Sequence, residues 1–446
     1  MRKLLTNFKE SVTFNLIFLS CLFFAACEPP PPSVANTNTN TGNAVTQPSP
    51  ATSPAAPASS TESSISMTPI TLPVLDAMFA DESFANDLKS QLGLSDEQIE
   101  KLKNISRDSV LKLGDVTDDT RSTRSAVSNA EKQISSIIGP EKTQQLRELV
   151  AKRWSGGDLE QSGAKPNSVP TDTRIVINSP AYRMDIFRDG QLIKSYKVGI
   201  GYPEFPLPAG LRHASEIIIN PSWVPPDEPW VKGKFAPGKK VEAGSKLNPL
   251  GPIKIPIGLP SLIHGGKDPS RLGTFASHGC VGLTSPQVED FAVQLAAISN
   301  TPLTLDDIKG YEKQRGETKK IELEQKMPVE LRYETIVAED GKITIYRDVY
   351  ERGSNTEENL RKVLETFGVS FDSLSPADQA KLRDALKQMA VDALGSPVDT
   401  DDSNQNNTNS GKKNPKGKIT RNIKGKKEIS IPLAELKGKG YPAPMY

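Results

Sequence analysis

Seven prolines fall between positions 203 and 229: Pro203, Pro206, Pro208, Pro221, Pro225, Pro226 and Pro229. A proline inside a helix removes a backbone donor and clashes with the preceding turn, so the middle of this chain cannot be a long helix. Short strands and ordered loops are what such spacing allows. The residues just before agree. Ile175 and Ile177 lead to Tyr182, Met184 and Ile186, Asp189-Gly190 reads as a hairpin turn, and Ile193, Tyr196 and Val198 follow. Ser285 to Ser299 is the one clear helix of the region, with Pro286 in its first turn and Val288, Phe291, Ala292, Leu295 and Ile298 on one face. A β-rich domain with a single helix is expected. Leu331 to Tyr350 reads as a further hairpin turning at Asp340-Gly341.

Helical segments flank this domain. Ser95-Asp96-Glu97-Gln98 is a capping-box signal, and Ile99, Leu102 and Ile105 recur behind it at helical spacing. A later helix carries Ile134, Ile137 and Ile138, stops at Gly139-Pro140, and restarts through Leu146, Leu149 and Val150. Beyond the hairpin, Ser375-Pro376 opens a helix with Leu382, Leu386, Met389 and Leu394 in a stripe. Hydrophobic residues make up 36% of the chain, less than the roughly 45–50% of globular domains. Long polar segments account for the difference. The expected order is a signal segment (1–27), a Pro/Ser/Thr/Asn linker (28–68), a helical domain (69–157) and a β-rich domain (171–309). A β extension (310–350), a helical segment (351–396) and a disordered stretch leading to a basic tail (397–446) follow. The fold class is α+β and multidomain.

The first residues read as a targeting segment. Arg2, Lys3 and Lys9 precede the apolar stretch Val12 to Ala26, which ends in Phe24-Ala25-Ala26-Cys27. Small residues before a cysteine there resemble the lipobox of bacterial lipoproteins, which implies lipidation of Cys27, a membrane anchor and an exported protein. Glu28 follows in place of an inner-membrane retention aspartate, which favours the outer membrane of a diderm host. At the other end, Lys412 to Tyr446 holds nine lysines and Arg421 against Glu428 and Glu435. Such a tail attracts anionic wall polymers or lipid headgroups, although an added strand through Ile429 and Ile431 fits the same residues. A net charge of +1 over the whole chain argues against a nucleic-acid partner.

The chain has three histidines and three cysteines. With Cys21 removed and Cys27 lipidated, Cys280 is the remaining thiol. It closes Ser277-His278-Gly279-Cys280, and His264-Gly265-Gly266 lies upstream across a loop containing Lys267, Asp268, Pro269 and Ser270. Thiolates are the reactive form of cysteine, and a nearby imidazole is the usual means of generating one. Covalent catalysis by Cys280 is the expected chemistry. Gly279 frees the backbone so that amides can point at one spot, an oxyanion hole. Two histidines and one cysteine make a poor zinc set, and no metal or cofactor is expected. His213 reads as a surface or structural histidine.

Ile263-His264-Gly265, a loop, then Ser277-His278-Gly279-Cys280-Val281 resembles the signature of the L,D-transpeptidase catalytic domain of the YkuD type. Asn220-Pro221-x-Trp223, Pro208-Ala209-Gly210 and Asn248-Pro249-Leu250-Gly251 match further family segments in order. The resemblance covers about Thr173 to Asp307 and implies a β-rich sandwich or barrel core with a helix beside the cysteine. It implies Cys280 as nucleophile, His264 as general base, and the Gly265 carbonyl as the group orienting His264. His278 becomes a supporting residue of the oxyanion region, with the amides of Gly279 and Cys280 as oxyanion donors. The implied partners are peptidoglycan stem peptides, with Ser277, Arg271, Lys267 and Gly282 in the substrate-binding set. Two positions departs from the family pattern. Leu207 stands for a threonine, and Gly282 for an arginine or asparagine, whose task would pass to Arg271 or Lys267. The expected reaction is L,D-transpeptidation through a thioester. Hydrolysis of the same bond and non-catalytic wall binding are the alternatives.

Overall fold

The computed structural model describes residues 70–111, 123–154, 166–225, 239–258, 261–393, 395, 397–398 and 423–446. The expected signal segment, linker and lipidation site at Cys27 lie outside them, as does most of the basic stretch before residue 423.

Alternation along β1 (Arg174–Asn178) and β2 (Arg183–Arg188) sends Ile175, Ile177, Met184 and Ile186 into the main core. Val176 and Phe187 point into a smaller apolar cluster. Asp189 and Gly190 both take positive φ, 50° and 78°, as a two-residue hairpin requires, and lead into β3 (Gln191–Lys197). After β4 (Ile200–Gly201) come β5 (Gly210–Ile219), β6 (Ile253–Pro256), β7 (Leu262–His264), β8 (Phe275–Ser277) and β9 (Val281–Gly282). The helix expected after the cysteine is α5 (Ser285–Ile298), capped by Thr284 and Gln287, and its apolar face is buried in the main core. A second helix, α6 (Leu305–Lys313), follows. Its Thr304–Asp307 capping box was the sequence signal, and the reading of a single helix here passed over it.

The main sheet is mixed and curled, in the order β3-β2-β1-β10-β5-β6-β7-β9. Here β10 is Lys319–Arg332. It pairs in parallel with β1 and antiparallel with β5, so residues 319–332 lie at the centre of the catalytic sheet. The β extension expected at 310–350 thus contributes a central strand to the main sheet. The hairpin β11 (Ile336–Glu339) and β12 (Lys342–Tyr346) belongs to a separate three-stranded sheet.

The third strand of that sheet is β13 (Glu428–Pro432), with Ile431 beside Ile343 and Ile429 beside Ile345. Of the readings open for the tail, the added strand through Ile429 and Ile431 is the one the structure shows, because its alternating isoleucines complete an apolar face. Tyr441 donates to Asp185 at 3.1 Å, and Ser195 and Met445 exchange hydrogen bonds along the outer edge of β3. Helices α7 (Glu357–Thr366) and α8 (Pro376–Met389) pack on the small sheet.

Residues 69–157 were expected to be helical, and they carry α1 (Leu72–Met78), α2 (Glu82–Leu92), α3 (Asp96–Leu111) and α4 (Thr123–Trp154). These helices share an apolar core of their own. Gly139, at φ 81° and ψ 163°, breaks α4 in two. Ser95 and Gln98 exchange the reciprocal bonds of a capping box at the start of α3.

Candidate active site

Parallel pairing of β7 with β9 sets His264 opposite Gly282, two residues past Cys280. Leu283 donates to the His264 carbonyl at 2.8 Å, while Gly282 exchanges both backbone bonds with Gly199. The loop between the histidine and the cysteine thus returns to the strand it left. Sixteen residues of sequence separation collapse to neighbouring strands.

His264 is 4% exposed, and its Nδ1 lies 2.7 Å from the Gly265 carbonyl oxygen. A carbonyl only accepts, so Nδ1 carries the proton and Nε2 holds the lone pair. This is the orienting contact expected of Gly265. A Cβ at Gly265 would lie 2.6 Å from Val288 Cγ1 and 3.1 Å from Pro252, so the close approach requires glycine. Burial, then the Lys267 cation, push the imidazole pKa down to about 3, and backbone acceptors at Gly265 and Leu250 only partly oppose them. The ring is neutral at physiological pH.

Cys280 is a free, partly exposed thiol. Burial pushes its pKa above the ordinary value, while the Leu262 backbone and Lys267 pull it down by less. The resting pair is accordingly thiol and neutral imidazole, not the preformed thiolate that a neighbouring imidazole suggests from sequence.

Ser277 is 4% exposed and closes the catalytic turn. Its Oγ accepts the Cys280 N–H at 2.9 Å and donates to the Cys280 carbonyl. Ser277, expected among the substrate-binding residues, makes both of these bonds to Cys280, and the Cys280 amide, expected as an oxyanion donor, is engaged within the turn. The Gly279 N–H makes no hydrogen bond among the described residues. Gly279 sits at φ 89°, and a Cβ there would meet nothing closer than 3.9 Å, so backbone conformation and not space demands glycine.

His278 is held edge-on by two rings, Tyr202 at 5.0 Å and Phe205 at 4.9 Å between centroids. It shapes the turn from behind, a supporting place. Tyr202 donates from its backbone to the Ser277 carbonyl at 2.9 Å. The Tyr350 hydroxyl donates to the Gly201 carbonyl at 2.9 Å and accepts the Leu207 N–H at 3.3 Å, tying both ends of that loop. The Tyr350 ring stacks on Phe275 of β8. Sequence reasoning missed Tyr202, Phe205 and Tyr350, because no motif or periodicity connects them to residue 278.

Of the expected substrate cations, Arg271 donates to the Phe275 carbonyl and braces its own loop. Lys267 lies at the site. Its stem covers Gly282, where a built Cβ would fall 2.7 Å from Cγ and 2.8 Å from Cε. Glycine at 282 is what lets the lysine lie there. His213, on β5, is exposed. Among the described residues no cluster of three or more His, Cys, Asp or Glu could hold a metal ion, and no helix is long and apolar enough to cross a membrane.

The family model of the L,D-transpeptidase catalytic domain, YkuD, matches residues 172–318. No curated protein matches. Solved structures similar to the chain include the catalytic domain of the E. faecium L,D-transpeptidase, at 16% identity and TM-score 0.23, covering 37% of this chain and all of that one. An L,D-transpeptidase from Mycobacterium smegmatis is 16% identical with TM-score 0.21, covering 36% of this chain and 58% of its own. L,D-transpeptidase 3 from Mycobacterium tuberculosis, with a faropenem-derived adduct, is 15% identical with TM-score 0.21, covering 36% and 60%. The resemblance rests on the family model and not on these overall likenesses: residues 172–318, about a third of the chain, match the YkuD L,D-transpeptidase catalytic domain.

Proposed function

We propose that this domain transfers acyl groups of peptidoglycan stem peptides through a thioester on Cys280. The observation that carries the reading is the Nδ1–H bond from His264 to the Gly265 carbonyl, which leaves Nε2 as a base beside the strand end that bears the thiol. Attack by Sγ on the peptide carbonyl transfers the thiol proton to His264 Nε2. The Gly279 N–H faces the developing oxyanion. Collapse expels the amine of the departing D-residue, which takes the proton back from His264, and the acyl group remains as a thioester. An amine acceptor, deprotonated in turn by His264, then attacks the thioester and restores the thiol.

Cys27 would anchor the protein to the exported face of a membrane through lipid, a reading supported by the apolar segment that precedes it. The Cys280→Ala variant, incubated with a tetrapeptide stem or a carbapenem, is expected to lose the covalent adduct of the wild type. An undiminished adduct overturns the reading. Mass spectrometry of treated sacculi separates new cross-links from trimmed stems.

A further inference from the structure

The helical layer of residues 70–154 has its own core, yet two of its hydroxyls reach one loop of the catalytic domain. Thr71, the N-cap of α1, accepts the Val74 N–H at 3.3 Å and donates to the Glu204 carbonyl at 2.7 Å. Thr123, the first residue of α4, donates to the Pro203 carbonyl at 2.9 Å, and its N–H reaches Glu351 Oε1 at 3.0 Å. Both threonines are at most 1% exposed. Buried carbonyls need partners, and here two successive ones take theirs from two different helices.

Pro203 and Glu204 are the outer side of the loop whose inner residues, Tyr202 and Phe205, grip His278. The loop is a tight turn, with the Phe205 N–H on the Tyr202 carbonyl at 2.8 Å. Motion of the outer carbonyls therefore moves both rings. A continuous path runs from the helix starts through the loop to His278, and so to the Gly279 amide.

We infer that the helical layer is a positioning element of the catalytic centre: Thr71 and Thr123 hold the Tyr202–Phe205 turn, which fixes His278 and aims the Gly279 N–H. Its catalytic consequence rests on the acyl-transfer reading above. The layer is then more than a spacer between the N-terminus and the enzyme.

The test is the full chain carrying Thr71→Val and Thr123→Val together, with Thr71→Ser and Thr123→Ser as the conservative pair. Acylation by a carbapenem is expected to fall about 10–100-fold, the scale of a small misplacement transmitted from outside the site. Alkylation of Cys280 by iodoacetamide needs no oxyanion donor and is expected to stay within about twofold. The ring signals of His278, in a chain with three histidines, are expected to lose the shifts imposed by the two aromatic rings. The serine pair restores all of these. Unchanged acylation with unchanged His278 signals overturns the inference. So does an equal fall in alkylation and acylation, which would place the effect on the thiol or its access. If the double valine variant does not fold, Thr123→Val alone is judged by the same readouts. A wild type that fails to acylate overturns the acyl-transfer reading, while the His278 signals still decide the coupling.

Discussion

Ser277 and Cys280 close on each other: the serine hydroxyl accepts the cysteine N–H at 2.9 Å and donates back to the cysteine carbonyl. One buried side chain thereby holds the backbone on both sides of the Cys280 Cα.

Ser277→Ala removes both bonds and leaves the Cys280 amide and carbonyl without their partner. Each unsatisfied buried group costs about 1–3 kcal/mol. The variant is expected to unfold at lower denaturant and to acylate more slowly while keeping its thiol. Chemical denaturation and titration of Cys280 check this, and wild-type stability together with wild-type acylation would contradict it.

The imidazole of His264 gives the folded state a pH signature. With its pKa pushed down to about 3 from the ordinary 6.5, the unfolded chain binds a proton between those values and the native protein does not. Stability from this group is therefore intact above the ordinary value and is lost as pH falls through the window, by up to about 1.4 kcal/mol per pH unit. Urea midpoints measured from pH 7 down to pH 4 should show a slope that His264→Gln flattens. An identical slope in the variant would sink the assignment.

Lys267 draws the thiol pKa down against burial. Replacing it by methionine keeps the stem over Gly282 and removes the charge, so the thiolate fraction falls. Iodoacetamide alkylation near about pH 8 should slow roughly three- to tenfold. Gly282→Arg must displace the same stem, and it should change alkylation as well. Unaltered rates in both variants would show that the cation does not act on Cys280.

Gly139 is unobstructed, with no atom within 4 Å of a built Cβ, yet it sits at φ 81° and ψ 163°. Alanine there pays only for backbone conformation, about 1–3 kcal/mol. A lower thermal midpoint with unchanged thiol reactivity is expected. An equal or higher midpoint would mean that α4 can run through position 139 unbroken.

Much of the local structure was legible because its causes are local. Asp189-Gly190 forms its turn with both residues at positive φ, Ser95 and Gln98 cap α3, and Gly139-Pro140 interrupts α4. The place of β10 was not legible. Nothing in Val329 or Leu331 states that its partners are Ile175 and Ile177, some 150 positions earlier, and not the next hairpin. The bonds that Ser277 makes to Cys280 were not legible for a related reason. A hydroxyl beside a nucleophile fits substrate or turn equally well until its burial and partners are known.

By itself the sequence determined the chemistry available: one free thiol among the described residues, the two histidines beside it, the glycines that relax the backbone, and the motif order that identifies the domain. Tertiary structure alone decided the roles. It made His264 neutral by burying it, bound the Cys280 amide to Ser277, turned Arg271 onto its own loop, laid Lys267 over Gly282, and set two threonines from distant helices on the loop that grips His278. Residue type states which bonds a group can make. Which of them it does make depends on burial and on partners that only the folded chain brings within reach.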